Sequence, residues 1–357
     1  MTVAEIEEGS PVRSWLVLTD GYLTERNAKT AHGVIHFAPD RIAAVVDPEH
    51  AGRDLIDVLP ELGRSAPVVA TVAEGLKHDP TSLLLGVATP GGWMPDHWRA
   101  WIAESIEAGL EIANGLHTLL ADDAELVALA EKKGVRLWDV RVPPEGIPLF
   151  SGKSLEVPQR TVLTVGSDCA VGKMTVTLAL TKAAVEAGVK AEFVATGQTG
   201  ILIAGRGIAV DRVISDFTAG AAEQLVLESD PESQVLLVEG QGSLWHPAFS
   251  GVTLGLLHGS APEVQVLCHQ AGREAIEEPP FTRLPSLNDM VATYEMMARP
   301  LRPAPVACVA LNTGGLSDEQ ANEEIARIER ETGLPTGDVL RGDAPKLWTA
   351  VLKALGG

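Results

Sequence analysis

Positive charge is scarce in this sequence. Its 28 Lys and Arg residues stand against 48 Asp and Glu, leaving a net charge of −20. Such a surface repels DNA, RNA and anionic membranes at long range, so no nucleic-acid or membrane partner is expected. An anionic small ligand remains allowed, because a local nest of backbone N–H groups overrides the global field. Cysteine is scarcer still: three in 357 residues, none in a CxxC pair, which excludes a disulfide framework. His32, His36 and His117 lack metal-ligand spacing, no zinc pattern or nucleophile elbow occurs, and no metal is expected. No run approaches the roughly 18 apolar residues of a membrane span. Low-complexity tracts and fixed-period repeats are also missing. The opening MTVAEIEEGSPVRS is acidic and lacks the basic-then-apolar pattern of a secretion signal. These absences point to a reduced, cytoplasmic protein that acts on a small molecule, and we expect it to be a homo-oligomer.

What is present is a regular alternation of short apolar runs with longer amphipathic stretches, the mark of βαβ units and a mostly parallel sheet. In the first half SWLVLTD, RIAAVVD, PVVAT and SLLLGVAT read as buried strands, and GVRLWDVRVPP as a closing one. Helices are expected over 97–110 and 122–132, the second running from an acidic cap to lysines before Gly134. Residues 143–160 carry four prolines and no periodicity, so the boundary falls there, giving domains 1–150 and 151–357. Two domains also suit the length, which exceeds what one ordinary core supports. The second half restarts with the strand RTVLTVG and a helix from Lys173 to about Glu186. VKAEFVATG, SQVLLVEG, VQVLCHQ and PVACVALNT follow as strands, and 318–332 is an amphipathic helix ending at Gly333.

The strongest motif is TVLTVGSDCAVGKMT, 161–175. A β-branched strand feeds a Gly-rich turn that opens straight into a helix. Gly166 and Gly172 permit backbone angles that other residues resist. The N–H groups of Gly166, Ser167, Asp168, Cys169, Ala170, Val171 and Gly172 can then face phosphate oxygens, and the helix start adds partial positive charge. Lys173, expected at an exposed loop-to-helix junction, supplies a point charge. The spacing departs from the common phosphate-binding loop: Gly166 and Gly172 are six apart, where five is usual. Met174 occupies the place of the hydroxyl that normally binds Mg²⁺, and Thr175 follows with a different direction off the helix. Cys169 has two readings, a thiol activated by the helix N-terminus or a loop filler whose backbone does the binding, and the second is preferred.

A second constellation is SQVLLVEGQGSLWHP, 233–247. Its apolar strand should run through the middle of the sheet and deliver Glu239 to the carboxyl-end crevice, where ligands of open α/β sheets lie. There Glu239 can act as a general base, hold a metal, or cap loop amides. Gln241, Ser243 and His246 follow on the loop, and His246 can equally be packed beside Trp245. Gln198 and Thr199 lie in a stretch rich in Gly and hydroxyls, 195–205, read as a loop that contacts substrate or merely turns tightly. Arg273 and Arg212 are the candidate cations for substrate carboxylates. Asn312, at a strand end, offers an amide to a purine edge. Cys268 and His269 are neighbours on a strand and so face opposite ways. TPGGW, 89–93, either lets a ligand approach the backbone or is a plain turn.

GSDCAVGKMT together with VEGQGS resembles dethiobiotin synthetase, which also uses a long phosphate loop and a VEG-x-G segment after a central strand. A fuller resemblance covers nearly the whole chain. AKTAHGVI, VVDPEHAGRDL, GVATPGGW, GLEIANGLHTLLADD, GSDCAVGKMT, GQTGILIAG and VEGQGSLWHP are similar to the DUF1611 family, some members of which are D-glutamate N-acetyltransferases. This resemblance implies an α/β protein with an N-terminal Rossmann-like parallel-sheet domain and a C-terminal P-loop NTPase-like domain. It also implies acetyl-CoA as donor, but carries over no catalytic residue.

The expected activity is transfer of an acetyl group to the amine of an acidic amino acid such as D-glutamate. Glu239 is the candidate base, with His246 next, and Lys173 or loop amides would steady the oxyanion. The alternative is an ATP-dependent ligase or kinase using Mg²⁺. A nucleotide-binding regulator without turnover is the third class.

Overall fold

The computed structural model describes residues 13–277 and 281–356. Residues 1–12, which carry nearly all of the acidic opening stretch, lie outside the described residues. The chain divides into two compact units. One comprises Met1–Pro143 with Gln198–Arg206, the other Pro144–Gly197 with Gly207–Gly357.

The first unit is built on β1 (Ser14–Leu18), β2 (Arg41–Val46), β3 (Val68–Val69), β4 (Ser82–Leu85), β5 (Glu111–Asn114) and β6 (Leu137–Asp139). They form one parallel sheet in the order β3-β2-β1-β4-β5-β6, with the reversal between β1 and β4 that marks doubly wound dinucleotide-binding folds. A parallel sheet is covered on both faces. Accordingly all of β1, and all of β2 beyond Arg41, is buried. β5 was not legible as a strand, because only Ile112 and Ala113 in EIAN are apolar; its register is set by β4, where Leu83 pairs with Ile112. PVVAT contributes only Val68–Val69. The two expected helices are Trp98–Glu107 and Ala124–Lys133. The Asp123 carboxylate caps the latter by accepting from the N–H groups of Glu125 and Leu126, and Gly134 ends it at φ 68°.

At the carboxyl ends of β2 and β6 the acids are committed to loop groups. Asp47, just past β2, accepts from the Thr19 hydroxyl at 2.8 Å and from the N–H groups of Gly21 and Leu23 at 2.9 and 3.1 Å; His50 Nδ1 lies 2.8 Å from its other oxygen. Burial pushes this carboxyl up, but the combined hydrogen bonds prevail and hold it below the ordinary carboxylate value. Asp139 accepts from Asn114 Nδ2 and from the N–H groups of Leu120 and Ala121. The TPGGW segment is a turn whose glycines are required by packing: a Cβ on Gly92 would stand 2.0 Å from the His117 ring.

The second unit carries β7 (Arg160–Gly166), β8 (Ala191–Val194), β9 (Val235–Val238), β10 (Val264–Gln270), β11 (Val306–Asn312) and β12 (Thr336–Gly337). The sheet is again parallel, in the order β12-β11-β10-β7-β9-β8. β9 is therefore one strand in from the β8 edge rather than in the middle. An all-apolar run requires only that both faces be covered, and they are: Leu236 and Val238 enter one core with Leu163, Val165 and Tyr294, while Val235 and Leu237 enter the other with Val162, Leu180 and Trp348. The helices Lys173–Glu186 and Asp318–Thr332 have the bounds read from sequence. A capping box between Ser317 and Gln320 starts the latter, and Gly333 at φ 70° stops it.

Candidate functional site

The central strand β7 ends at Gly166, and after six intervening residues the Lys173–Glu186 helix begins. The turn between them holds Ala170 at φ 54° and Gly172 at φ 102°, so the chain reverses tightly enough to aim the helix N-terminus at the loop interior. Gly166 is needed for space: a Cβ there would lie 2.8 Å from Lys173 Nζ and 2.9 Å from the Asp168 carbonyl.

Lys173 is not exposed as its junction position suggested; it is 7% exposed. The side chain folds back under the loop, where Nζ donates to the Asp168 carbonyl at 2.8 Å. Burial lowers its pKa, while the neighbouring Cys169, Cys268, Asp168 and Glu239 oppose that shift. A buried Lys173 head held by a neutral carbonyl at a helix start suits an anionic guest. Two of the loop N–H groups expected to face phosphate do not: that of Ser167 donates to the Cys268 carbonyl at 2.9 Å and that of Cys169 to the Asp168 carboxylate at 2.7 Å.

The loop is braced from outside. The Ser167 hydroxyl lies 2.9 Å from His269 Nδ1, and the Ser167 carbonyl accepts from the Ser243 hydroxyl. Asp168 Oδ1 accepts from the N–H of Cys169. Its Oδ2 accepts from Arg273 Nη1 at 2.6 Å and from the N–H of Glu277 at 2.9 Å. Arg273 also donates to Gln270 Oε1. Its guanidinium is therefore committed to the loop, not open to a substrate carboxylate as its sequence position suggested. Of the two arginines, Arg212 has the less committed head, its Nη1 buried without a hydrogen-bond partner. Arg212 ends a short 3-10 turn whose first residue, Val210, donates its N–H to the Thr196 carbonyl.

Glu239 follows β9 and is 4% exposed. Its Oε2 accepts from the N–H groups of Thr196 at 3.0 Å and Gly197 at 3.1 Å, so it caps loop amides. Burial nevertheless dominates and pushes the carboxyl up to about 7, against hydrogen bonds from Thr196, Gly197 and Gln241 and the charge of Lys173. The cause is desolvation by the fold itself, present before any phosphate arrives. Gly240 is obligatory beside it, because a Cβ would stand 1.8 Å from the Thr164 carbonyl. Gln241 joins the group, donating from Nε2 to the Thr196 hydroxyl at 3.3 Å.

His246 is 2% exposed and stacks on Phe249 with ring centroids 4.5 Å apart. Its Nδ1 accepts from the N–H of Ala248, while Nε2 is buried without a partner. One ring nitrogen, the Cys169 thiol and one Asp168 oxygen all lie within 4.8 Å of one another. Sequence reasoning missed this trio, since 77 residues separate Cys169 from His246 and only the strand order joins their loops.

The remaining sequence candidates are dispersed. Residues 198–204 are a helix, Gln198–Ala204, not a loop, because Ile201, Leu202 and Ile203 are buried. Gln198 and Thr199 belong to the first compact unit, where both reach the Thr30 hydroxyl at 3.5 and 3.4 Å. Asn312 turns its Oδ1 to the N–H of Gly314 at 2.9 Å. Met174 and Thr175 are half-buried at the helix start, and Val171 is buried in the core.

A phosphate-type loop on one parallel sheet and, in the other unit, a sheet of dinucleotide-fold order define a recognisable class. The chain belongs to the DUF1611 family: residues 148–348 match its P-loop domain and residues 48–143 its Rossmann-like N-terminal domain, both described as domains of unknown function. A crystal structure of a DUF1611 family protein from Anabaena variabilis superimposes with a TM-score of 0.90 at 38% identity, covering 96% of this chain and 99% of that one. Two curated relatives carry a name, D-glutamate N-acetyltransferase. The Pseudoalteromonas protein is 40% identical over 76% of this chain and 81% of its own length. The Tritonibacter scottomollicae protein is 36% identical over 88% and 96%. No helix among the described residues is long and apolar enough to cross a membrane.

Proposed function

We propose that this protein is a D-glutamate N-acetyltransferase that draws its acetyl group from acetyl-CoA. The observation that carries this reading is the shared name of two relatives, one of which aligns over 88% of this chain and 96% of its own length. The chemistry of the second unit suits it. Acetyl transfer requires an amine freed of its proton, and a carboxylate with a pKa of about 7 is matched to that task at neutral pH. We assign that role to Glu239. Coenzyme A carries a pyrophosphate and a 3′-phosphate, which we assign to the loop from Gly166 to Thr175 with Lys173 beneath it. Met174 at the hydroxyl position makes sense where the phosphates are held and not cleaved, so no Mg²⁺ is required. Arg212, with its buried Nη1 lacking a partner, is the group we assign to an acceptor carboxylate.

Incubating the protein with acetyl-CoA and a panel of D- and L-amino acids tests the reading by two signals, free thiol and acetylated product. N-acetyl-D-glutamate together with free thiol is expected. Release of ADP from Mg·ATP, with no thiol from acetyl-CoA, would assign the protein to the ligases or kinases instead.

A further inference from the structure

The two carboxylate oxygens of Glu239 have different surroundings. Oε2 accepts from the N–H groups of Thr196 and Gly197 and is fixed to the chain beyond β8. Oε1 lies toward the bare side of Gly197. A Cβ on that glycine would stand 3.4 Å from Oε1 and 2.4 Å from Gln241 Nε2. The Gln241 amide and the second oxygen therefore converge on the space that glycine leaves open.

Gln241 is held in this place at both ends. Its carbonyl accepts from the Thr253 hydroxyl at 2.8 Å. The next residue, Gly242, turns at φ 65°, and a Cβ on it would stand 2.6 Å from the Phe249 carbonyl oxygen. At the other end Nε2 donates to the Thr196 hydroxyl at 3.3 Å, and the side chain also hydrogen-bonds Glu239. The Thr196 hydroxyl in turn donates to the Glu239 carbonyl at 2.7 Å. One amide thus braces Glu239 through both its carboxylate and its backbone. Gln241 is only half-buried, whereas Glu239 is 4% exposed. The charged neighbour acting on this carboxyl is Lys173, which Cys169, Cys268 and Asp168 face in turn. Burial disfavours a carboxylate, and an N–H donor favours it.

We propose that Gln241 is the positioning residue of Glu239: its amide favours the ionised carboxyl and keeps Oε1 beside the open side of Gly197, where an amine can reach it. Gln241 thereby acts on the base and does not touch the substrate. Its effect on turnover presupposes that Glu239 is the base; its effect on the carboxyl does not.

The carboxyl is titrated directly by carbon-13 NMR of protein labelled at the glutamate δ-carbon, with Glu239→Gln assigning the signal. The pH profile of N-acetyl-D-glutamate formation is measured alongside. Gln241→Leu removes the donor at similar volume, so the Glu239 midpoint and the acid limb of turnover should both rise by about one pH unit. Turnover at pH 7 should then fall about fivefold and recover by about pH 9, with KM for D-glutamate unchanged. Gln241→Glu, nearly isosteric, should raise the midpoint further, because two adjacent carboxyls resist ionising together. Gly197→Ala leaves Gln241 in the chain but sets a Cβ 2.4 Å from its flexible amide, which must move away. The same rise is expected, and combining it with Gln241→Leu should add nothing. Thermal melts check that each variant folds. An unmoved Glu239 midpoint in the folded variants overturns the proposal. So does a raised KM with the acid limb in place, which makes Gln241 a substrate contact. A midpoint that moves while turnover keeps its wild-type profile upholds Gln241 and sinks Glu239 as base. Wild-type protein that forms no N-acetyl-D-glutamate sinks the D-glutamate reading and leaves the titration to decide Gln241.

Discussion

The two sheets of this protein share an architecture and differ in what their strand ends do. Both are six-stranded and parallel, and each is covered on both faces. In the first, the acids at the carboxyl ends of β2 and β6 are held by loop groups: Asp47 gathers Thr19, Gly21, Leu23 and His50, and its carboxyl is held low. In the second, Glu239 is buried at a strand end with its carboxyl pushed up to about 7, Lys173 is buried against a neutral carbonyl, and His246 keeps an unpartnered nitrogen. Saturated polar groups stabilise loops; buried ones left partly unsatisfied are poised to exchange protons or hold ions. Fold alone does not separate these outcomes, because function resides in sites carried by the fold.

The contrast is broken or sharpened by substitution at either sheet. The largest effect is expected at Glu239. Glu239→Gln keeps size and the acceptor for the N–H groups of Thr196 and Gly197 but removes basicity, so turnover should fall by roughly 10²–10⁴-fold with donor affinity nearly unchanged. Near-normal turnover would reduce Glu239 to a loop brace. Lys173→Ala comes next: donor affinity, measured calorimetrically, should fall by roughly 10–100-fold, the worth of a hydrogen bond to a charged group. Undiminished binding in a folded variant would make the loop purely structural.

At the other sheet, Asp47→Asn should cost about 1–3 kcal/mol in urea unfolding, since an amide cannot accept from all the donors that Asp47 holds. Its turnover should be unaltered. Lost turnover in a folded Asp47→Asn protein would draw the first unit into the chemistry. The smallest expected effect is that of EDTA, which should leave turnover unchanged because Met174 offers no hydroxyl to Mg²⁺. Inactivation reversed by Mg²⁺ would favour the ATP-dependent reading.

Much of the fold was legible wherever several local signals agreed. Strand, glycines, lysine and helix all marked the phosphate loop, and Ser317, Gln320 and Gly333 bounded the Asp318–Thr332 helix. What escaped lacked local signal. EIAN becomes a strand only because β4 supplies its register, and Gln198–Ala204 becomes a helix around three buried apolar residues that the surrounding Gly and Thr obscured. The site was half legible. Position along the sheet brought Glu239 and the loop to the same sheet edge, but the burial of Lys173, the commitment of Arg273 to Asp168 and the meeting of Cys169 with His246 arise from side chains far apart in sequence.

The central claim is that the acid left poised at the second sheet does the work that the saturated acids of the first cannot. It is tested most directly by the pH dependence of N-acetyl-D-glutamate formation in the wild type and Glu239→Gln. A base acts in its ionised form, so wild-type turnover should fall as pH drops through about 7, tracking the raised carboxyl. The residual turnover of Glu239→Gln should lack that acid limb. The same limb in both proteins would contradict the account and place the titrating base elsewhere.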